Sequence, residues 1–288
     1  MSGPQYVEYG GNTPCLEVAY DDTYFLIDAG TGIRPLGEQF RKNIGKEIQI
    51  FLSHPHLDHL IGLPFFAPAF QKETQIAIWL PAQMAKSGKT LLTQFLSSEV
   101  FPGGFEQIQA LLRFYPAFEE IPIQMGEVSL HFCQIAHPGV TYGFKIITPK
   151  QKIGYITDHE FLRGYCGPWD SPPPHLLERE AKTIHFFSDL DLLIHEAQFS
   201  AEEYKTKIGW GHSSLPNTLA FLKATRTPQL LVTHHDPSHS DADLHALQQE
   251  ANRMLEGTGF SARWIRDGEK IELPAPCHFC YVGKMRSS

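Results

Sequence analysis

Cysteine is scarce and scattered: five residues in 288, at Cys15, Cys133, Cys166, Cys277 and Cys280. An odd, dispersed set does not make the disulfide framework of a small secreted domain; it reads as the reduced thiols of a cytoplasmic protein. Cys277-His278-Phe279-Cys280 has metal-like spacing, but no second such pair and no nearby histidine pair completes a zinc site, so it reads as a tail feature. No apolar run approaches the roughly 18 residues of a membrane span. Met1-Ser2-Gly3-Pro4-Gln5 offers neither the basic nor the apolar region of a signal peptide. Basic residues are outnumbered, 24 against 32 acidic, for a net charge of −8. That argues against broad non-specific binding of nucleic acid, though not against a local basic patch. Internal repeats and low-complexity tracts are missing too. Apolar residues at 42% suffice to bury a core, which excludes disorder as the main state.

What the chain does have is histidine, fifteen of them. Histidine is the commonest metal ligand and the side chain that titrates near neutrality. Their placement follows a strand-and-helix pattern. Cys15–Tyr20 and Thr23–Asp28 read as a hairpin around Asp21-Asp22. Ile33–Phe40 reads as a short helix, Glu47–Ser53 and Gln75–Leu80 as strands, and Thr90–Val100 as a helix carrying Leu91, Leu92, Phe95 and Leu96. Val128, Leu130 and Phe132 alternate with polar residues, as in a half-buried strand. Tyr142–Thr148 and Lys152–Asp158 form a second hairpin around Pro149-Lys150. There follow a strand (Asp191–His195), a helix (Ser213–Ala224), a strand (Gln229–His234), a helix (Ala242–Leu255) and a terminal strand pair near Trp264 and Ile271. Strands cluster in both halves with helices between them, which suits two sheets with helices outside, built as one domain over 1–288. Ser171-Pro172-Pro173-Pro174 is a stiff surface loop, and residues 81–126 interrupt the strand series and are placed to cover a site.

The strongest chemical signal is Ser53-His54-Pro55-His56-Leu57-Asp58-His59, at the end of the strand Ile48–Leu52. Residues i and i+2 in extended chain point the same way, so His54 and His56 can hold one metal. Asp58 and His59 then begin the next helix and can reach a second. Imidazole suits zinc and a carboxylate ligand is compatible with it. Further ligands must come from other strand ends. His137 follows the strand Val128–Ile135, Asp158 ends Tyr155-Ile156-Thr157-Asp158, and His234 ends Leu231-Val232-Thr233 beside the alternative His235.

With Leu26-Ile27-Asp28-Ala29-Gly30, the run at 54–59, His137, Asp158 and His234 in that order, the sequence resembles the metallo-β-lactamase superfamily over nearly its whole length. The resemblance implies an α/β fold, a four-layer αββα sandwich. It implies that His54, His56 and His137 bind one metal, that Asp58, His59 and His234 bind the other, and that Asp158 bridges them. Asp28 would orient the ligands, since ligating histidines need an acceptor for their other N–H. Leu193-Ile194-His195-Glu196-Ala197 and Gly211-His212-Ser213 resemble the phosphodiesterase-type branch, which includes the tRNA 3′-end nucleases. There Glu196 and His212 would pair beside the metals, with His212 the general acid. Gly10-Gly11-Asn12-Thr13-Pro14-Cys15, Asp28-Ala29-Gly30-Thr31-Gly32-Ile33-Arg34, Gly62-Leu63-Pro64-Phe65-Phe66 and His234-His235-Asp236-Pro237 resemble a bacterial group described as cyclic-nucleotide-phosphodiesterase-like. That group has one more N-terminal strand with a Gly-Ser-rich turn; here either that strand is absent or the start differs.

The expectation is thus a cytoplasmic dinuclear hydrolase. Two divalent ions, zinc in first place with manganese or iron as alternatives, would hold a hydroxide that attacks a small phosphodiester such as a cyclic nucleotide, with Asp58, His212 and Glu196 as the catalytic side chains. A lactone or thioester hydrolase on the same site is the first alternative. A tRNA 3′-end nuclease ranks lower, because residues 81–126 set Lys86, Lys89 and Arg113 against Glu99, Glu106, Glu119 and Glu120 and are not a basic arm. A non-catalytic metal-dependent sensor is opposed by the complete ligand set. Membrane and long nucleic-acid partners are not expected; oligomeric state stays open, a homodimer included. Gly30-Thr31-Gly32 reads as a turn into the helix, not a nucleotide loop. Phe65, Phe66 and Phe70 read as core with a minority role in a substrate pocket, and His239 as a candidate substrate contact.

Overall fold

A computed structural model describes residues 3–40 and 47–272 with their side chains, and the backbone of 277–281. Contacts gather the chain into two compact units, one made of 12–121 and 267–288, the other of 1–11 and 122–266. Neither is a contiguous piece of sequence.

The first unit is built on a seven-stranded sheet. Its strands are β1 (Leu16–Tyr20), β2 (Thr23–Ile27), β3 (Glu47–Phe51), β4 (Gln75–Pro81), β5 (Leu111–Ala117), and β13 (Glu269–Glu272) and β14 (Cys277–Tyr281) from the far end of the chain. Their spatial order is β13-β14-β1-β2-β3-β4-β5. β1 and β2 form the expected hairpin, with Asp21 taking the left-handed conformation (φ 47°) that aspartate tolerates in tight turns. From β2 to β5 the strands run parallel. The helix Ile33–Phe40 buries Ile33, Leu36, Gly37 and Phe40, one face of a helical repeat. Ahead of β1 the described residues hold a single 3-10 turn, Pro4–Tyr6, and no strand.

The segment 81–126 departs from expectation. It contains the strand β5, which pairs with β4 along its whole length. The helix expected at Thr90–Val100 is shorter than the spacing predicts, Gly88–Phe95, and a single turn, Ala82–Ala85, precedes it. Its apolar residues Leu92, Leu112 and Ile108 pack with Leu63, Ile76 and Ile78 in this unit's core. This segment therefore adds a strand to the sheet and packs Leu92 and Leu96 away from water.

The second unit carries the other seven-stranded sheet. Its strands are β6 (Ile123–Met125), β7 (Val128–Gln134), β8 (Tyr142–Ile147), β9 (Lys152–Ile156), β10 (Leu192–Glu196), β11 (Gln229–Thr233) and β12 (Ser261–Trp264), in the order β12-β11-β10-β9-β8-β7-β6. β9 to β12 are parallel, and β9, β10 and β11 are largely buried, hence their near-continuous apolar runs, whereas β12 exposes Ser261 and Arg263. The helix Leu215–Thr225 packs Leu219, Phe221 and Leu222 into the core with Phe161, Phe187 and Trp264. The helix Asp241–Leu255 starts at a capping box between Ser240 and Asp243. The terminal strand pair expected near Trp264 and Ile271 does not form. β12 pairs with β11, whereas β13 pairs with β14 in the other sheet. Gly268, at φ 74°, turns the chain between them. Cys277 and Cys280 lie in β14, but their side chains fall outside the described residues. Cys15 and Cys133 are buried free thiols and Cys166 is an exposed one. No helix among the described residues is long and apolar enough to cross a membrane.

Two glycines of the first unit meet backbone to backbone. The Gly62 amide donates to Ala29 O at 2.9 Å, and a Cβ on Gly62 would collide with the carbonyl oxygen of Gly30. Backbone cannot swing away as a flexible side chain can. Gly62→Ala is therefore expected to cost about 1–3 kcal/mol, as over-packing does, seen as a lower urea midpoint. An unchanged midpoint would show that the loop has room to move.

Candidate metal and acid site

Every proposed ligand follows the end of a strand. In the first unit, β2 ends at Ile27 and β3 at Phe51. Asp28 takes φ 64°, an uncommon conformation outside glycine, and this sends its carboxylate toward the turn that follows β3. The carboxylate is fully buried. Its Oδ1 accepts from the Ser53 amide and the Ser53 hydroxyl, both at 2.8 Å, and its Oδ2 lies 2.9 Å from His59 Nδ1. Ser53 Oγ is also 3.0 Å from His54 Nδ1. With the hydroxyl proton given to Asp28, Ser53 Oγ accepts from His54 Nδ1–H. His59 Nδ1–H donates to Asp28. Both rings then keep their lone pair on Nε2, the tautomer a metal needs.

The ligand atoms of this unit lie close together. The His54 ring centroid is 4.4 Å from that of His56 and 4.2 Å from that of His59. His59 Nε2 is 3.3 Å from Asp58 Oδ2. Asp58 and His59 sit on a single 3-10 turn, Leu57–His59, so the helix expected here is only one turn long. Phe66 is fully buried and Phe70 packs on the core, whereas Phe65 is exposed.

In the second unit, β9, β10 and β11 end side by side, with Ile156 in register with His195 and Glu196 with Thr233. Asp158, Glu196 and His234 thus share one edge of the sheet, where parallel strands commonly present their ligand-binding groups. His234, at φ 52°, departs from β11 in the left-handed region. Its Nε2 lies 3.3 Å from Asp158 Oδ1, which settles which of the adjacent pair His234 and His235 faces the aspartate. His137 Nδ1 donates to Gly211 O at 2.8 Å, leaving Nε2 as its lone pair, 3.9 Å from Asp158 Oδ1. His212 Nε2 is also 3.9 Å from that oxygen, and His137, Asp158 and His212 offer ligand atoms all within 4.8 Å of one another.

This donor set fits a divalent cation. In each unit, imidazole Nε2 atoms lie 3.3–3.9 Å from a carboxylate oxygen. Such groups can share a cation, and mixed imidazole and carboxylate ligation is that of zinc and its first-row neighbours.

The proton-handling pair is closer still. His212 Nδ1 donates to Glu196 Oε1 at 3.0 Å. Glu196 is fully buried; burial pushes its carboxyl up, and His212 beside it pulls back down. Three donors hold the carboxylate: His212, the His159 amide at 2.8 Å and the Ser213 amide at 3.3 Å. Ser213 Oγ donates to His159 O and accepts from the Phe161 amide, tying the loop after β9 to the start of the helix Leu215–Thr225.

Two buried groups escaped the sequence reading. Glu160 accepts from the Tyr204 hydroxyl and the amides of Gly209 and Gly211. His159 and His195 form a buried pair, Nδ1 to Nε2 at 3.0 Å. Glu160 and His159 stand in no motif, and His195, although it stands beside Glu196 in one, was given no role there; only their burial and hydrogen bonds reveal them. His239, a candidate substrate contact, has its Nε2 2.9 Å from Glu203 Oε1.

A model of the β-lactamase superfamily domain matches residues 23–235, a span that includes Asp28 and all seven proposed ligands. A ribonuclease Z from Staphylococcus carnosus is 23% identical, over 88% of this chain and 91% of its own. In structure, the metallo-β-lactamase fold protein YhfI from Bacillus subtilis superposes with a TM-score of 0.60 at 18% identity, over 88% of this chain and 89% of its own. A diphosphatase of the PhnP family superposes at 0.56 with 19% identity, over 91% and 85%. These structural likenesses are of fold: a mixed α/β chain with two sheets, as the sequence implies.

Proposed function

The chain belongs to the β-lactamase superfamily domain family, and from that premise we propose that it is a two-metal hydrolase of phosphodiesters. We assign His54, His56 and His137 to one ion, Asp58, His59 and His234 to the other, and Asp158 to both, within one hydrolase domain of 288 residues. Zinc is the expected metal. When bound, two such ions lower the pKa of water and offset charge on the phosphoryl oxygens. The chain's own residues do the rest. Asp28 and Ser53 fix the tautomers of His54 and His59, and Gly211 O fixes that of His137. His212, protonated at Nε2, gives its proton to the leaving oxygen. Glu196 holds Nδ1–H and stabilises the imidazolium by its charge.

The observation that carries this reading is the His212–Glu196 pair, 3.0 Å apart, with the carboxylate fully buried. A general acid is needed when an alkoxide leaves, as it does from a phosphodiester. A small substrate such as a cyclic nucleotide is the first reading. A polynucleotide is the second, favoured by the ribonuclease Z relative. The metal-loaded protein is to be assayed against cyclic nucleotides, a dinucleotide, a tRNA precursor and a lactone panel, with and without chelator. Chelator-sensitive, metal-restored turnover of a phosphodiester is expected. Turnover confined to lactones would overturn the proposal.

A further inference from the structure

The loop preceding His212 is held from beneath and bare on top. Glu160 is buried, and its Oε1 accepts from the Gly209 amide at 2.7 Å while its Oε2 accepts from the Gly211 amide at 3.1 Å. Oε1 also accepts from the buried Tyr204 hydroxyl at 2.9 Å. One carboxylate thus pins the backbone on both sides of Trp210. The Trp210 amide donates to Lys207 O at 3.0 Å, which closes the turn. Gly209 and Gly211 adopt φ 89° and 91°, and a Cβ at Gly209 would come within 2.7 Å of Arg163 Nη2. A Cβ at Gly211 would collide with the His137 ring.

On this fixed loop the indole of Trp210 is 58% exposed. Lys207 Nζ lies 3.8 Å from the ring centroid and covers one face by a cation–π contact. The exposed Arg163 stands at Gly209. An aromatic platform with Lys207 against one face and Arg163 beside it, the latter also 3.8 Å from Glu160 Oε2, two residues before the proposed acid, complements a ligand that is both aromatic and anionic. A nucleotide is such a ligand.

We propose that Trp210 is the stacking platform for the nucleobase of the substrate, with Lys207 and Arg163 attracting its phosphate. This rests on the phosphodiesterase reading and narrows it to nucleotide substrates. Base-on-aromatic stacking is sequence-tolerant, so the platform reads the presence of a base and not its identity.

The test compares ligands that differ only in the base. Adenosine 5′-monophosphate and ribose 5-phosphate are titrated calorimetrically into the metal-loaded protein, and kcat/KM is measured for their methyl phosphodiesters. The base is expected to tighten binding roughly 5- to 100-fold. Trp210→Ala is expected to bring that ratio close to one, and Trp210→Phe to keep most of it. A wild-type protein blind to the base, or a Trp210→Ala protein that keeps the ratio, overturns the platform. Equal turnover of the two esters overturns it too, while leaving the hydrolase reading intact. A base-dependent binding ratio that Trp210→Ala abolishes, in a protein that cleaves neither ester, supports the platform and sinks the phosphodiesterase reading.

Discussion

His212→Ala is expected to lower kcat on an alkyl phosphodiester about 10²- to 10⁴-fold, the usual contribution of a positioned general acid. His212 Nδ1 is committed to Glu196 at 3.0 Å, so only Nε2 is available for proton delivery, and it points toward Asp158, 3.9 Å away. The leaving group supplies the control. An alkoxide departs only as its oxygen gains a proton, whereas p-nitrophenolate is stable without one. The loss should therefore be much smaller on bis-p-nitrophenyl phosphate than on the alkyl ester. Equal losses on both would mean that His212 serves the metal site or the fold and is not the acid. Metal content, measured on the same preparation, separates the first of these from the second.

The run at 54–59 was legible because three histidines and an aspartate in six residues have no packing rationale. His137, Asp158 and His234 were legible as single polar residues at the ends of apolar strands. What could not be read was the hydrogen bonding beneath them. Ser53 stands inside the motif, yet its link from Asp28 to His54 exists only once β2 and β3 are neighbours. Glu160 pins the loop 209–211 across roughly fifty positions of sequence, and no spacing announces such a bond.

The strand errors have an equally local cause. β5, Leu111–Ala117, is a sheet edge with exposure on alternate and adjacent positions, ending in Pro116-Ala117. Proline argues against a central strand but is tolerated at an edge. Trp264 and Ile271 are close in sequence with a glycine between them, the pattern of a hairpin. The parallel pairing of β12 with β11 prevailed, as Gln229–Val232 lines up with Ser261–Trp264. Choosing between a local hairpin and a distant parallel partner needs the tertiary packing of Trp264 among Leu244, Leu247 and Val232.

The buried histidine pair is expected to make the fold lose stability in acid. His195 is fully buried, and burial lowers its pKa from 6.5 to about 4, although the Glu196 carbonyl and Asp158 oppose the shift. Its Nδ1–H donates to Glu196 O at 2.6 Å, so its Nε2 accepts from His159 Nδ1–H at 3.0 Å. A second proton on His195 would set two N–H groups against each other. The ring of Phe221 packs against both imidazoles and offers no acceptor. Above the unfolded pKa near 6.5 both states hold the ring neutral, and this group adds no pH dependence. As pH falls below 6.5 the unfolded chain takes up a proton that the folded chain refuses, so stability drops until pH 4. At 1.36 kcal/mol per pKa unit the loss is about 3 kcal/mol for this one group. Urea unfolding of chelator-treated protein at pH 7, 6, 5 and 4.5 measures it. His195→Gln keeps an acceptor and a donor but cannot titrate. Its stability should fall less steeply than the wild type's over that window, by up to one proton's worth of slope. Identical slopes would show that His195 takes up its proton in the folded state as readily as in the unfolded one.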